Sequence, residues 1–439
     1  MFLRLRYIFR LIGAFISRFK GIIVIGLIIG FLIFTIINFI APILLSRSVE
    51  VIGVTGRYTL ETLPNSILGK ISEGLTEMDE TGEVAPKISD GWNTPDNGKT
   101  WNFTIDENFK WQDGSAIVSN DIVYNFSDVE TEHPDEKTIV YKLKDNFSHF
   151  PTVVSDPIFK KGLLGSGEWK VEKLNLKSGI IQGLILKNEE SETVIYKFYP
   201  TEERAKLAFK LGHVGSLHEI LDPKPLNNWK TVELKENINY NRIVTLFFNT
   251  EKLDDKTLRQ TLIYAINKSE SGGERAIGPI SPLSWAYNPQ VKRYDYNQQK
   301  AKEAADELPK ELKDNLNLKI VTTPILLSLA EAISSDWEAI GISSEVLVSS
   351  VIPDDFDAFL AIFDVPYDPD QYSIWHSTQN ISNISRYKNP RIDKLLEDGR
   401  NEIDRDERMK IYLDFQRFLV EDSPAAFLYH PATYNILRK

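Results

Sequence analysis

The sequence predicts a mixed α/β protein: two α/β lobes and a small β-rich subdomain, behind one N-terminal transmembrane helix. Three observations carry that expectation. A run of 25 residues from Gly21 to Leu45 contains no charge and is dense in Ile, Leu and Phe. Residues 50–200 alternate apolar and polar positions as strands do. After about residue 250 the apolar spacing turns to three and four, with short strand-like runs between. The 439 residues suffice for two or three domains with large cores.

The apolar run comes first. At a rise of about 1.5 Å per residue, roughly 20 residues cross the hydrocarbon core, so Gly21–Leu45 spans with some tilt. Asn38 and Pro42 lie near its far end, where interfacial water or a kink tolerates them. A cleavable leader has an apolar core of roughly 7–15 residues closed by a small-x-small site. This run ends in Ile43-Leu44-Leu45-Ser46-Arg47 instead, so an uncleaved anchor is expected. Arg4, Arg6, Arg10, Arg18 and Lys20 precede it without any acid, which places residues 1–20 in the cytoplasm as a basic stub. The body from Ser46 onward is then extracytoplasmic, on a single-pass cell-membrane protein.

In the body, Trp101, Phe103 and Ile105 alternate with Asn102 and Thr104 as a half-buried strand, and Asp113-Gly114 is a turn. Ser119 is placed to cap a short helix carrying Asp121 in its first turn. Ile180–Leu186 and Val194–Phe198 read as strands, and Glu202–Leu211 as a helix. Asp254 is placed to cap a helix bearing Leu258, Leu262 and Ile266. Leu318–Val321 is strand-like. Leu326, Leu329, Ile333, Trp337 and Ile340 form one helical stripe stopped by Gly341. Strands at Glu345–Val348 and Ala358–Phe363 follow, and strand-helix-strand in that order implies a parallel α/β unit. A last helix runs from about Arg405 to Leu419 and stops at Pro424. The expected division is lobe one over 46–250, with the β-rich subdomain at about 96–187. Lobe two covers 251–420, and residues 421–439 return to lobe one.

Composition narrows the function. The net charge of −11, with +5 on residues 1–45 and therefore −16 on the rest, makes nucleic acid an improbable partner, since phosphate binding needs a basic face. With no cysteine there is no disulfide, thiolate metal site or cysteine nucleophile. Asn97-Gly98-Lys99-Thr100 is not a phosphate loop: six residues separate Gly91 from Gly98, and a strand follows. His213 and His218 are five apart without a zinc-protease pattern, and His376 has no second histidine near it in sequence. No G-x-S-x-G elbow occurs. Neither a cofactor nor a metal is expected, and among the abundant carboxylates nothing selects a catalytic pair.

Several segments in order form a recognisable series. Gly74-Leu75, Gly82, Pro86 and Trp92 come first, then Gly98-Lys99-Thr100-Trp101-Asn102-Phe103, Trp111-Gln112-Asp113-Gly114 and Asn120-Asp121-Ile122-Val123-Tyr124-Asn125-Phe126. Gly165-Ser166-Gly167-Glu168-Trp169, Leu246-Phe247-Phe248-Asn249, Asp368-Pro369-Asp370 and Tyr387 with Asn389-Pro390 and Ile392-Asp393 continue it. The series ends with Asp404, Arg408, Tyr412, Phe415-Gln416 and Glu421-Asp422-Ser423-Pro424. Together they resemble the family-5 extracellular solute-binding proteins, the peptide- and nickel-binding subunits of ABC importers, from about residue 50 to 430.

The resemblance implies a clamshell of the type II periplasmic-binding-protein kind, closing on its ligand at a hinge, with the chain's end returning to the first lobe. It implies a short peptide as ligand, ABC permease subunits as partners, and a binding protein rather than an enzyme; a monomer is expected. A peptide offers an ammonium that an acidic side chain must meet. Asp364 is the nearest counterpart of the acid that relatives carry after this strand, with Asp368 as the alternate. The structural alternative for both is a solvated loop acid at a strand end. Tyr58, Trp285, Tyr367, Tyr372 and Trp375 are candidate pocket walls, each equally readable as core packing. Two other functions stay open: a peptide sensor or chaperone on the same fold, and a membrane-anchored envelope hydrolase.

Overall fold

In the computed structural model, residues 2–35, 49–268, 272–309 and 316–439 are described. Phe2–Thr35 is one helix with a kink at Phe19. Its stretch Arg18–Thr35 has a mean hydropathy of 2.0 and none of it is buried against the body, so it is long and apolar enough to cross a membrane. The remainder of the expected span, with Asn38 and Pro42, lies outside the described residues.

Two sheets build the body. In the first, Val49–Thr55 lies between Thr193–Tyr199 and Ser216–Ile220, parallel to both. The helix Glu202–Lys210 makes the crossover between those two partners. Its Thr201 side chain accepts from the Arg204 amide, satisfying one of the free N–H groups of the first turn. Lys170–Lys177 and Ile180–Lys187 extend this same sheet beyond Thr193–Tyr199. They therefore pair with lobe one, although the sequence reading grouped them with the subdomain. Alternation alone reveals a strand and not its partner.

The subdomain has its own four-stranded antiparallel sheet, Ser89–Asn93, Thr100–Ile105, Thr138–Leu143 and Val129–Glu132. Trp101, Phe103 and Ile105 are buried as their alternation requires, together with Trp111, Tyr141 and Phe150. Gly114 has φ +83, which is why a glycine follows Asp113 in that turn. Ser119–Asp121 is a single 3-10 turn with no side-chain cap. The Ser119 hydroxyl donates instead to the Asp135 carbonyl, and Asp121 accepts from the Trp111 indole at 3.0 Å.

The second sheet runs Ser343–Val348, Asn317–Thr322, Ala358–Asp364 and Arg242–Phe248. Asn317–Thr322 is parallel to both Ser343–Val348 and Ala358–Asp364, the expected parallel unit. The connecting helix is Leu327–Glu338, and Ile333, Trp337 and Ile340 are fully buried. Gly341 takes φ +80 after it. Nearby, Lys256–Ala265 is capped by Asp255, one residue later than expected, with its side chain accepting from the Leu258 amide. The last helix, Arg405–Asp422, is one turn longer than expected and stops at Ser423 in the left-handed region.

One strand joins the sheets. Ala425–Arg438 pairs with Arg242–Phe248 through residues 425–429, and with Val232–Ile238 and Ser216–Ile220 through residues 432–438. The chain also crosses between lobes at Asn239–Asn241, beside it: the Asn239 amide donates to the Pro431 carbonyl at 3.0 Å.

Candidate functional site

Between the two lobes, with lining residues from both, lies a cavity of about 1060 Å³. Lobe one supplies most of its wall, including Glu50, Tyr58, Lys70, His218 and Glu219. Lobe two contributes Arg242, Asp364 and the loop Thr323-Pro324-Ile325 at the carboxyl end of a parallel strand. That is where ligands bind in parallel α/β sheets, because connecting loops diverge there.

The first strand positions Tyr58. Gly56 has φ +139, and a Cβ there would stand 2.5 Å from the Tyr58 ring, so the turn requires glycine. Folded back this way, the Tyr58 hydroxyl donates to the Thr55 carbonyl at 2.8 Å and its ring meets Phe198 edge-on. Burial, then the nearby Glu219, raise the Tyr58 pKa, so the phenol stays protonated and offers a neutral wall.

Asp364 ends the strand Ala358–Asp364 directly opposite Arg242, the first residue of its antiparallel neighbour. The Arg242 Nε donates to Asp364 Oδ1 at 2.9 Å. Burial works against the Arg242 cation, but the bond and charge of Asp364, with Glu219, hold its pKa above the ordinary value. The Arg242 carbonyl accepts from His430 Nδ1 at 2.9 Å, tying this corner to the closing strand. Thus an acid and a base stand side by side on the cleft wall, complementary in principle to an ammonium and a carboxylate.

The other sequence-predicted residues lie elsewhere. Asp368 is buried, and both its oxygens accept from the Arg408 guanidinium. It lines a smaller cavity of about 340 Å³ between the subdomain and lobe two, together with Trp285. Arg405 and Arg408 lie over the Trp285 ring at 5.4 and 5.5 Å. Trp375 is buried in the lobe-two core, where its indole donates to Gln371 at 2.8 Å. Tyr372 stacks on His376 and under Arg400. Tyr367 is 39% exposed, and its carbonyl is so close to Gly82 that a Cβ there would meet it at 2.4 Å.

This seam has a buried ion network of its own. His149 Nε2 and the Arg400 guanidinium both reach Asp370 Oδ2, at 3.0 and 2.8 Å. Burial opposes the Asp370 charge, yet His149 and Arg400 hold its pKa far below the ordinary carboxylate range. The Asp-Pro-Asp run therefore joins the subdomain to lobe two through Asp370 and braces the last helix through Asp368. Sequence reasoning missed Arg242, Glu219 and Thr323–Ile325. Arg242 had one visible signal, a lone charge opening the otherwise apolar run Ile243-Val244-Thr245-Leu246-Phe247-Phe248.

Comparison with known proteins gives a consistent picture. A family model described as "Bacterial extracellular solute-binding proteins, family 5 Middle" matches residues 83–383. The oligopeptide-binding protein AppA of Bacillus subtilis is 25% identical over 461 residues, covering 85% of this chain and 83% of that protein. The dipeptide-binding protein of Escherichia coli is 22% identical, covering 82% and 83%. Among solved structures, NikZ of Campylobacter jejuni in complex with Ni(L-His) superposes with a TM-score of 0.73 at 21% identity, covering 90% of this chain and 94% of that one.

If Asp368 braces the fold, Asp368→Asn strands the buried Arg408 charge. Urea unfolding should then show a loss of about 3–5 kcal/mol, with ligand affinity little changed in whatever protein remains folded. Full stability together with lost binding would contradict this placement.

Proposed function

Because the chain belongs to the bacterial extracellular solute-binding proteins of family 5, we propose that it binds a short peptide between its lobes and hands it unaltered to an ABC permease. The family and the relatives named above are binding proteins. The observation that carries the reading is the interlobe cavity with Asp364 and Arg242 paired on its wall. An ammonium entering there finds Asp364, and a carboxylate or peptide carbonyl finds Arg242. Such groups gain from leaving water only when each meets a partner, so closing the lobes around them is favourable for a matching ligand and costly for others. Tyr58 and Ile325 add apolar surface without reading a particular side chain.

The N-terminal helix fits an uncleaved anchor with the body on the extracytoplasmic face. Tethering confines the binding protein to the membrane plane and raises its effective concentration at a permease. The 25-residue uncharged run, longer than the roughly 7–15-residue apolar core of a cleavable leader, supports retention.

Three experiments test this. Mass spectrometry of the molecule that co-purifies should identify short peptides, and calorimetry with that ligand should show Asp364→Asn weakening binding about 10- to 100-fold, the range of a lost charge-assisted bond. Recovery of a metal complex or sugar, or unchanged affinity, would refute the peptide and Asp364 assignments respectively. Protease added to cells stripped of any outer barrier should degrade the body and leave residues 1–45 in the membrane; full protection of the body would refute the orientation.

A further inference from the structure

The charges around the cleft do not balance. Glu50, Glu202, Glu203, Glu219 and Asp364 line it, against the bases Lys70 and Arg242. Glu202 is committed to the fold, since its carboxylate accepts from the Leu221 and Asp222 amides. Arg242 is committed chiefly to Asp364 at 2.9 Å and reaches Glu219 only at 3.8 Å. Among the described residues, that long contact is the one ion pair recorded for the Glu219 carboxylate.

Glu219 is also held in place by more than its strand. It has φ +55, in the left-handed region that a non-glycine residue rarely adopts. It sits at a register shift between Ser216–Ile220 and the closing strand, where the pairing breaks between Leu217 and Ile220. Its amide donates to Asn435 Oδ1 at 3.1 Å, and Asn435 itself borders the cavity. Bulges of this kind re-aim a side chain out of the alternation of the strand. Here the re-aimed group is a carboxylate of lobe one, facing the base that lobe two has already paired.

We propose that Glu219 sets the charge preference of the cleft, so that the favoured ligand carries a cationic side chain in addition to its amino terminus. The proposal rests on the peptide reading above. Arg242 faces two acids at once, Asp364 and Glu219. A ligand with only an ammonium competes with Arg242 for Asp364 and leaves the cleft acidic. A ligand with a second cation satisfies Glu219 as well, and both lobes then close on opposite charge. Such selectivity rests on partly exposed groups and is therefore moderate and sensitive to salt.

The test uses the full chain in detergent and three probes, Ala-Lys-Ala, Ala-Ala-Ala and Ala-Glu-Ala, titrated by calorimetry. Ala-Lys-Ala should bind about 3- to 10-fold more tightly than Ala-Glu-Ala, and the gap should narrow at high salt. Glu219→Gln should erase most of that gap. Asn435→Ala, which frees the Glu219 amide without altering its charge, should narrow the gap partially. Equal affinities in the unmodified chain, or a gap that survives Glu219→Gln, would overturn the proposal. If no tripeptide binds, the peptide reading fails on its own. Spermidine, a cation without a peptide bond, then decides: binding weakened by Glu219→Gln supports the role of Glu219, and no binding ends it.

Discussion

The strand Ala425–Arg438 is hydrogen-bonded into both lobes, and the rest of the molecule is arranged around that fact. A single strand 14 residues long cannot belong rigidly to two sheets that move relative to each other. Its pairing with the second lobe breaks register between Val244 and Thr245, and its pairing with the first breaks again between Leu217 and Ile220. Between these breaks, at His430–Pro431, it meets the other crossing segment, Asn239–Asn241. A few residues at the ends of elements can absorb the backbone rotation of a hinge without disturbing either core. The cavity borders this region through Arg242 and Asn435, so a hinge placed here would change its width.

The same geometry explains where the polar groups stand. Arg242 follows the crossing immediately, and Asp364 pairs with it across the first rung of the lobe-two sheet. Their side chains stand beside the crossing and border the cavity from the lobe-two side. The buried ions at the other seam have a different task. Asp370 with His149 and Arg400, and Asp368 with Arg408, are shielded from water, where electrostatic attraction is stronger and an unpaired charge is costly. They hold the subdomain and the last helix in place. The cleft ions, being partly exposed, are the ones a ligand can rearrange.

Much of this was legible in the amino-acid order, and the gaps have physical causes. The stripe ending at Trp337 and Ile340, and the alternation of Trp101, Phe103 and Ile105, identified elements because burial leaves a periodic trace. The Asp255 cap was misplaced by one residue because two aspartates in succession offer the same chemistry. Strand partners leave no such trace, which is why Lys170–Lys177 and Ile180–Lys187 were grouped with the wrong neighbour. Among the candidate site residues, Tyr58 and Asp364 border the interlobe cavity, whereas Trp285 and Asp368 border the other one. An aspartate that braces a helix and one that faces a cleft look alike in sequence. Glu219 was invisible for a further reason: its orientation depends on a bulge against a strand more than 200 residues away.

Closure around a bound molecule is the central mechanical claim, and an inter-lobe distance tests it most directly. The chain has no cysteine, so Glu203→Cys and Ile325→Cys place spin labels on opposite walls without further substitution. With saturating co-purified ligand, the double electron–electron resonance distance distribution should shift to a shorter, narrower peak. A distribution unchanged by a ligand that demonstrably binds would contradict the account.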